Sequence, residues 1–186
     1  MTNVPAQARL IPSLLAAVPS STTIRVEGEP VRIRLRRFAP RGTPLQMGIP
    51  ENAFLTQVTE KVATTRVRLS AGRGGRVTND NARIDIFWFK KGVWRDNLSD
   101  MEAWLQIPAR ESNITLRPVR NRRATYPWVI KQWSLTRGRG RDRALGKAFI
   151  GRINGKYFAV MHQLPVDMLE GYGPRVDAVL KTLQAR

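Results

Sequence analysis

Cysteine is absent from this chain of 186 residues. That excludes disulfides, thiol catalysis and cysteine-based zinc sites. It also suits a reducing compartment, so a cytoplasmic location is expected. Histidine occurs once, at His162, within the run KYFAVMHQ. No nucleophile-elbow motif accompanies it, and no spacing of Asp and Glu gathers metal ligands around it. A lone histidine in a strand pattern reads as a packed residue. No enzymatic activity, catalytic residue, metal or cofactor is therefore expected. No apolar run reaches the ~18 residues that a membrane-spanning helix requires. Acidic side chains are scarce as well, at 14 Asp+Glu against 32 Lys+Arg.

The resulting net charge is +18. A fold carrying that excess repels itself, and an anionic partner is the default expectation. The cations are not spread evenly. From Arg110 to Lys156 there are 13 Lys+Arg against only Glu111 and Asp142, whereas from Tyr157 onward the balance is zero. Concentration of this kind marks a binding patch and not general solubility. Arginine supplies 25 of the 32 cations, and its planar fork suits bidentate contact with carboxylate or phosphate. Arg-rich coding is a blander source of the same bias.

Hydrophobic periodicity orders the rest. Met1 to Thr23 is rich in Pro and Ser, with a short apolar stretch broken at Pro12. It reads as an N-terminal arm, lacking the basic start and unbroken centre of a signal peptide. Residues 24–186 read as one domain. In TIRVEGEPVRIRLRRFA, Val31, Ile33 and Leu35 alternate with Arg32, Arg34 and Arg36, which predicts a strand with one buried and one cationic face. EKVATTRVRLSA repeats the pattern, with Val67 and Leu69 inward and Arg66 and Arg68 outward. Gly72 to Asn81 reads as a turn-rich connector. ARIDIFWFKKG reads as a central strand, because its second half is apolar on both faces.

Ser99 and Glu102 form a capping-box pattern that starts a helix, and Pro108 ends it. Two further strand runs follow, YPWVIKQWSL and KAFIGRINGKYFAVMHQL. Asn154-Gly155 splits the second into a hairpin. Gly173 precedes Pro174 at the first position of a last helix, whose apolar stripe is Val176, Val179, Leu180 and Leu183. Hairpin-joined strands with segregated helices predict an α+β fold with a largely antiparallel sheet and two helices.

Between the two late strands lies SLTRGRGRDRALGK, Ser134 to Lys147. It is expected to be a long basic hairpin loop. It is not a phosphate-binding loop: five residues separate Gly140 from Gly146, and Ala148 stands where a Ser or Thr is needed. The candidate partner-binding cations are Arg117, Arg120, Arg122, Arg123, Arg137, Arg139, Arg141, Arg143 and Lys147. In one reading they dock on acidic protein subunits, where Arg is a preferred anchor. In the alternative they hold RNA or DNA phosphates while Tyr126, Trp128 or Trp133 stack on bases. Contact with an anionic membrane surface is a third reading, weakened by the absence of a basic helix with large apolar insertion residues.

Three runs together, VRLSAGRGGRVTNDNARIDIFWF, YPWVIKQWSL and GKYFAVMHQLPVDMLEGYGPRVDAVLKTL, resemble small cyanobacterial proteins whose pattern is similar to the PsbP-type α/β sandwich of photosystem II extrinsic and assembly proteins. The resemblance covers roughly Ile24 to Leu183 and is strongest from Gly155 onward. It implies a sandwich core and a non-enzymatic role around photosynthetic complexes, at a phycobilisome or photosystem. A basic linker between acidic subunits, at the cytoplasmic face of a photosynthetic membrane, is the role the charge and the resemblance imply together.

Overall fold

A computed structural model describes residues 17–90, 97–120 and 124–186. Within the described residues, eleven strands and two α-helices form an α+β fold. β1 (Ser21–Val26), β2 (Glu29–Phe38), β3 (Leu45–Pro50) and the short β11 (Gln184–Ala185) build a small sheet in the order β1-β2-β3-β11. The large sheet has seven strands: β4 (Phe54–Glu60), β5 (Thr64–Arg73), β6 (Arg76–Phe89), β7 (Ile114–Pro118), β8 (Val129–Arg137), β9 (Ala144–Ile153) and β10 (Lys156–Pro165). Their order is β4-β5-β6-β10-β9-β8-β7, and every neighbouring pair is antiparallel.

The large sheet is apolar on both faces because it separates two cores. One face sends Ile84, Ile86, Trp88, Phe149, Phe158 and Val160 against β3 and helix α2 (Leu169–Lys181). The other sends Phe87, Phe89, Trp133, Leu135, Ile150 and Met161 against Met101, Leu105 and Ala109 of helix α1 (Leu98–Glu111). Each of these large side chains contributes on the order of 2 kcal/mol by leaving water. The double-sided pattern of ARIDIFWF has this cause, and β6 lies between β5 and β10 as a central strand should.

Two tight hairpins set the register in the large sheet. Asn154 and Gly155 both take positive φ, 51° and 77°, and join Ile153 to Lys156. Gly74 and Gly75 do the same between Arg73 and Arg76. The connector expected over Gly72 to Asn81 thus shrinks to those two glycines, and Thr78 to Asn81 belong to β6. The strand continues through polar residues because pairing with β5 satisfies their backbone.

Other boundaries also move. Ser21 to Thr23, read as the end of the arm, are strand paired to Arg32–Arg34 of β2; residues 1–16 of that arm lie outside the described residues. β2 buries only Leu35 fully, and Val31 is 38% exposed. The cap of α1 is Asn97, whose Oδ1 accepts from the Asp100 N–H at 2.9 Å, and not Ser99. Asn is as good a cap as Ser, and this start puts Asp100 in the first turn, where the helix dipole favours it. Pro108 lies inside α1 and does not end it. Its missing N–H forfeits one bond, but its carbonyl still accepts from Ser112, and Ala109 beyond it is buried in the core. Pro174 is likewise inside α2, which starts five residues earlier at Leu169. Packing of Met168, Leu169 and Tyr172 against the larger core holds that extra turn. The expected stripe of Val176, Val179, Leu180 and Leu183 is buried, Leu183 just past the helix end.

Candidate functional site around Asp85

The most developed site lies under α1, on the large-sheet face that the sequence assigned to solvent. Register places Arg68 opposite Asp85, Arg66 opposite Phe87, and Ser70 opposite Arg83. Alternation therefore puts Arg66, Arg68, Arg83 and Asp85 on one face. Asp85 is 5% exposed. Its Oδ1 accepts from Arg66 Nε at 3.0 Å and Arg68 Nε at 2.8 Å, and its Oδ2 accepts from Arg83 Nε at 3.1 Å. Arg83 also donates from Nη1 to the Asp80 carbonyl at 3.0 Å. The Arg66 guanidinium lies 5.6 Å from the centre of the Phe87 ring. Arg66 and Arg68 are half-buried, which corrects their reading as outward-facing cations.

Burial pushes the Asp85 carboxyl up, while the hydrogen bonds and charges of Arg68 and Arg83 pull it back. Burial pushes the Arg83 guanidinium down, and the positive charges of Arg68 and Arg137 add to that against Asp85. Both shifts record the same fact: several cations share one carboxylate in a poorly hydrated place.

These residues border a cleft of about 430 Å³. Its apolar lining includes Phe87, Trp104, Ile107, Leu135 and Met161. Gln163 of β10 also lines it, is 2% exposed, and has neither Oε1 nor Nε2 hydrogen-bonded. The arrangement offers hydrogen-bond donors, positive charge and an apolar wall. Of its two carboxylates, Asp85 is already shared among three arginines, and Glu111 lies at the α1 side of the cleft. Among the described residues no three His, Asp or Glu side chains group as metal ligands.

The sequence missed this site because strand alternation was read one strand at a time. A signal was present: Asp85 interrupts an otherwise apolar strand, and a buried carboxylate needs cationic partners. The Arg-x-Arg of Arg66 and Arg68 is the adjacent source.

The sequence-predicted cations do not form one patch. Arg137 pairs with Ile114, whereas Pro118 pairs with Trp133. The chain beyond Pro118, with Arg120, thus leaves from the middle of β8, ~13 Å along the strand from the loop that follows Arg137. That loop is shorter than expected. Ser134 to Arg137 are in β8 and Ala144 to Lys147 in β9, leaving only Gly138–Arg143, with a 3-10 turn at Gly140–Asp142.

Arg139 and Arg143 are exposed in the loop, and Arg141 has its backbone in the turn. Arg137 is half-buried and donates to Asn81 Oδ1 at 2.6 Å, so it is partly committed. Arg117 and Lys147 are exposed and both pair with Ser134 from either side, in one row across β7, β8 and β9. Arg122 and Arg123 lie outside the described residues.

The stacking role drawn for the aromatics is corrected. Tyr126, Trp128 and Trp133 are each 6% exposed. The Tyr126 and Trp128 rings stack on each other with centroids 5.3 Å apart. Trp128 Nε1 donates to the Leu180 carbonyl at 3.1 Å, and the Tyr126 hydroxyl pairs with Asp177 at 3.0 Å. Burial and the Asp177 charge push the Tyr126 hydroxyl up. Trp133 belongs to the other core. Their faces are occupied by protein, leaving none open to a base. His162 is the packed strand residue the sequence suggested: its ring stacks on Phe149 at 6.0 Å between centroids. Burial, helped by the Lys147 charge, lowers its pKa to about 4.

No protein-family model matches the chain, and no curated protein matches it. No helix among the described residues is long and apolar enough to cross a membrane.

Proposed function

We propose that the protein is a non-catalytic scaffold or linker-type subunit that docks on acidic protein surfaces of a larger assembly. One observation carries this reading. Arg34, Arg36 and Arg37 of β2 and Arg139 and Arg143 of the β8–β9 loop are exposed, and none makes an ion pair among the described residues. Arg32 beside them donates to the Ser21 hydroxyl and makes no ion pair among the described residues. Arg32, Arg34 and Arg36 alternate along one strand, which spaces them by ~7 Å, a row that can meet several carboxylates at once. Rim arginines of this kind steer encounter and fix register more than they add affinity.

The docking surface in this proposal is wider than the Arg117–Lys147 region and includes β2. The PsbP-type sandwich and a photosynthetic setting are part of the same proposal, supported by the sequence resemblance from Ile24 to Leu183. So is a cytoplasmic location. The RNA- or DNA-binding reading now rests on phosphate contacts alone, because the aromatic stacking groups are buried.

Gentle cross-linking in the cells that make the protein, followed by purification with and without nuclease, tests the choice. Recovery of acidic proteins that survive nuclease supports docking on protein. Recovery of nucleic acid, with every protein lost on nuclease treatment, contradicts it.

A further inference from the structure

We propose that the cleft beside Asp85 binds a small organic monoanion, a carboxylate carrying an apolar body. This is separate from docking on the outer arginines and uses different residues.

Charge is the first argument. Lys61, Arg66, Arg68 and Arg83 line the cleft against only Asp85 and Glu111. Each guanidinium has five N–H donors. Asp85 and the Asp80 carbonyl occupy only part of them. The remaining donors suit a second carboxylate, which would complete the charge balance that Asp85 leaves unfinished. Glu111 at the same cleft disfavours a doubly charged ligand.

Gln163 is the second, independent argument. Its amide is buried and unpartnered at both oxygen and nitrogen. Such a group costs stability unless something bonds it. It borders the cleft from β10, across β6 from the Arg68 strand. A bound carboxylate can accept from Nε2, and a ligand donor can serve Oε1.

The third argument is the wall. Phe87 and Trp104 pack edge to face with centroids 4.9 Å apart, and Ile107, Leu135 and Met161 extend that apolar surface. An inorganic anion would leave it uncovered. The cleft, at about 430 Å³, falls in the range of small-molecule pockets, roughly 300–1,000 Å³.

The test uses the full chain and three probes: 3-phenylpropionate, 3-phenylpropan-1-ol and inorganic phosphate. Calorimetry reads affinity, and the Gln163 side-chain amide resonance reads location. The expected result is saturable binding of 3-phenylpropionate that moves the Gln163 resonance, with the alcohol and phosphate each weaker by about tenfold or more. Gln163→Leu should weaken 3-phenylpropionate by about tenfold while the melting temperature holds or rises, because an unpaired amide has gone. Ile107→Asp, at a 48% exposed position of α1, should weaken it through charge alone and decides the matter if Gln163→Leu fails to fold. Absence of saturable binding overturns the proposal. So does phosphate binding as tightly as the organic acid, or affinity unchanged in the variants that fold.

Discussion

Arg68 and Asp85 face each other across β5 and β6, and the Arg68 Nε–H donates to Asp85 Oδ1 at 2.8 Å. With Arg66 and Arg83 on the same carboxylate, three half-buried cations are anchored to one buried acid. Removing the carboxylate leaves them facing one another. Asp85→Asn should destabilise the fold by roughly 3 kcal/mol, the scale for breaking a buried pair. Chemical denaturation at neutral pH checks this, and a loss below about 1 kcal/mol would mean that the arginines escape to water at little cost.

His162 gives the stability a pH dependence with a defined sign. Its folded pKa, about 4, is below the ordinary 6.5. Between those values the unfolded chain binds the proton and the folded chain does not. The His162 contribution is therefore complete above pH 6.5 and is lost as pH falls toward 4. His162→Phe should remove roughly 2 kcal/mol of that acid-side loss, read as the difference between wild-type and variant denaturation midpoints across the window. Carboxylates common to both proteins cancel in the difference. His162→Gln should leave partner docking intact, and loss of docking in a folded His162→Gln protein would reveal a functional role for the ring.

Gly151 is required for close approach. A Cβ there would lie 2.6 Å from ring atoms of both Trp128 and Phe158. Gly151→Ala should cost about 2 kcal/mol, in the range of overpacking a tight core, and should alter the near-UV circular dichroism of the Tyr126–Trp128 stack. An unchanged melting temperature would show that the rings move aside freely.

The strands and their pairing were legible where periodicity or turn chemistry was local. Asn154-Gly155 located the β9–β10 hairpin, and the two-sided apolar pattern of ARIDIFWF marked β6 as a central strand. Local signals were less informative where tertiary packing competed. Pro108 and Pro174 read as helix boundaries, yet core contacts at Ala109 and Leu169 carry each helix past them. Gly72 to Asn81 read as a connector because its residues are polar, but β5 supplies backbone partners for them.

The site was less legible than the fold. Arg66 and Arg68 have the same alternation as Arg34 and Arg36, and nothing within either strand separates them. What separates them is the neighbour: Asp85 of β6 forms ion pairs with the first pair, whereas Glu51 just past β3 bonds Arg34 through its backbone alone and the second pair makes no ion pair among the described residues. Similarly, Tyr126, Trp128 and Trp133 are interleaved with arginines along the chain, but burial sends the rings inward and leaves Arg117, Arg120 and Arg139 outside.

That contrast between anchored and free arginines is the basis of the docking account, and one binding measurement tests it most directly. Arg32, Arg34, Arg36, Arg139 and Arg143 are replaced together by Gln, and affinity for the acidic partner recovered by cross-linking is measured against salt. The account predicts an unchanged melting temperature, at least about tenfold weaker binding at low salt and a shallower salt dependence. Wild-type affinity and salt dependence in the folded variant would contradict it.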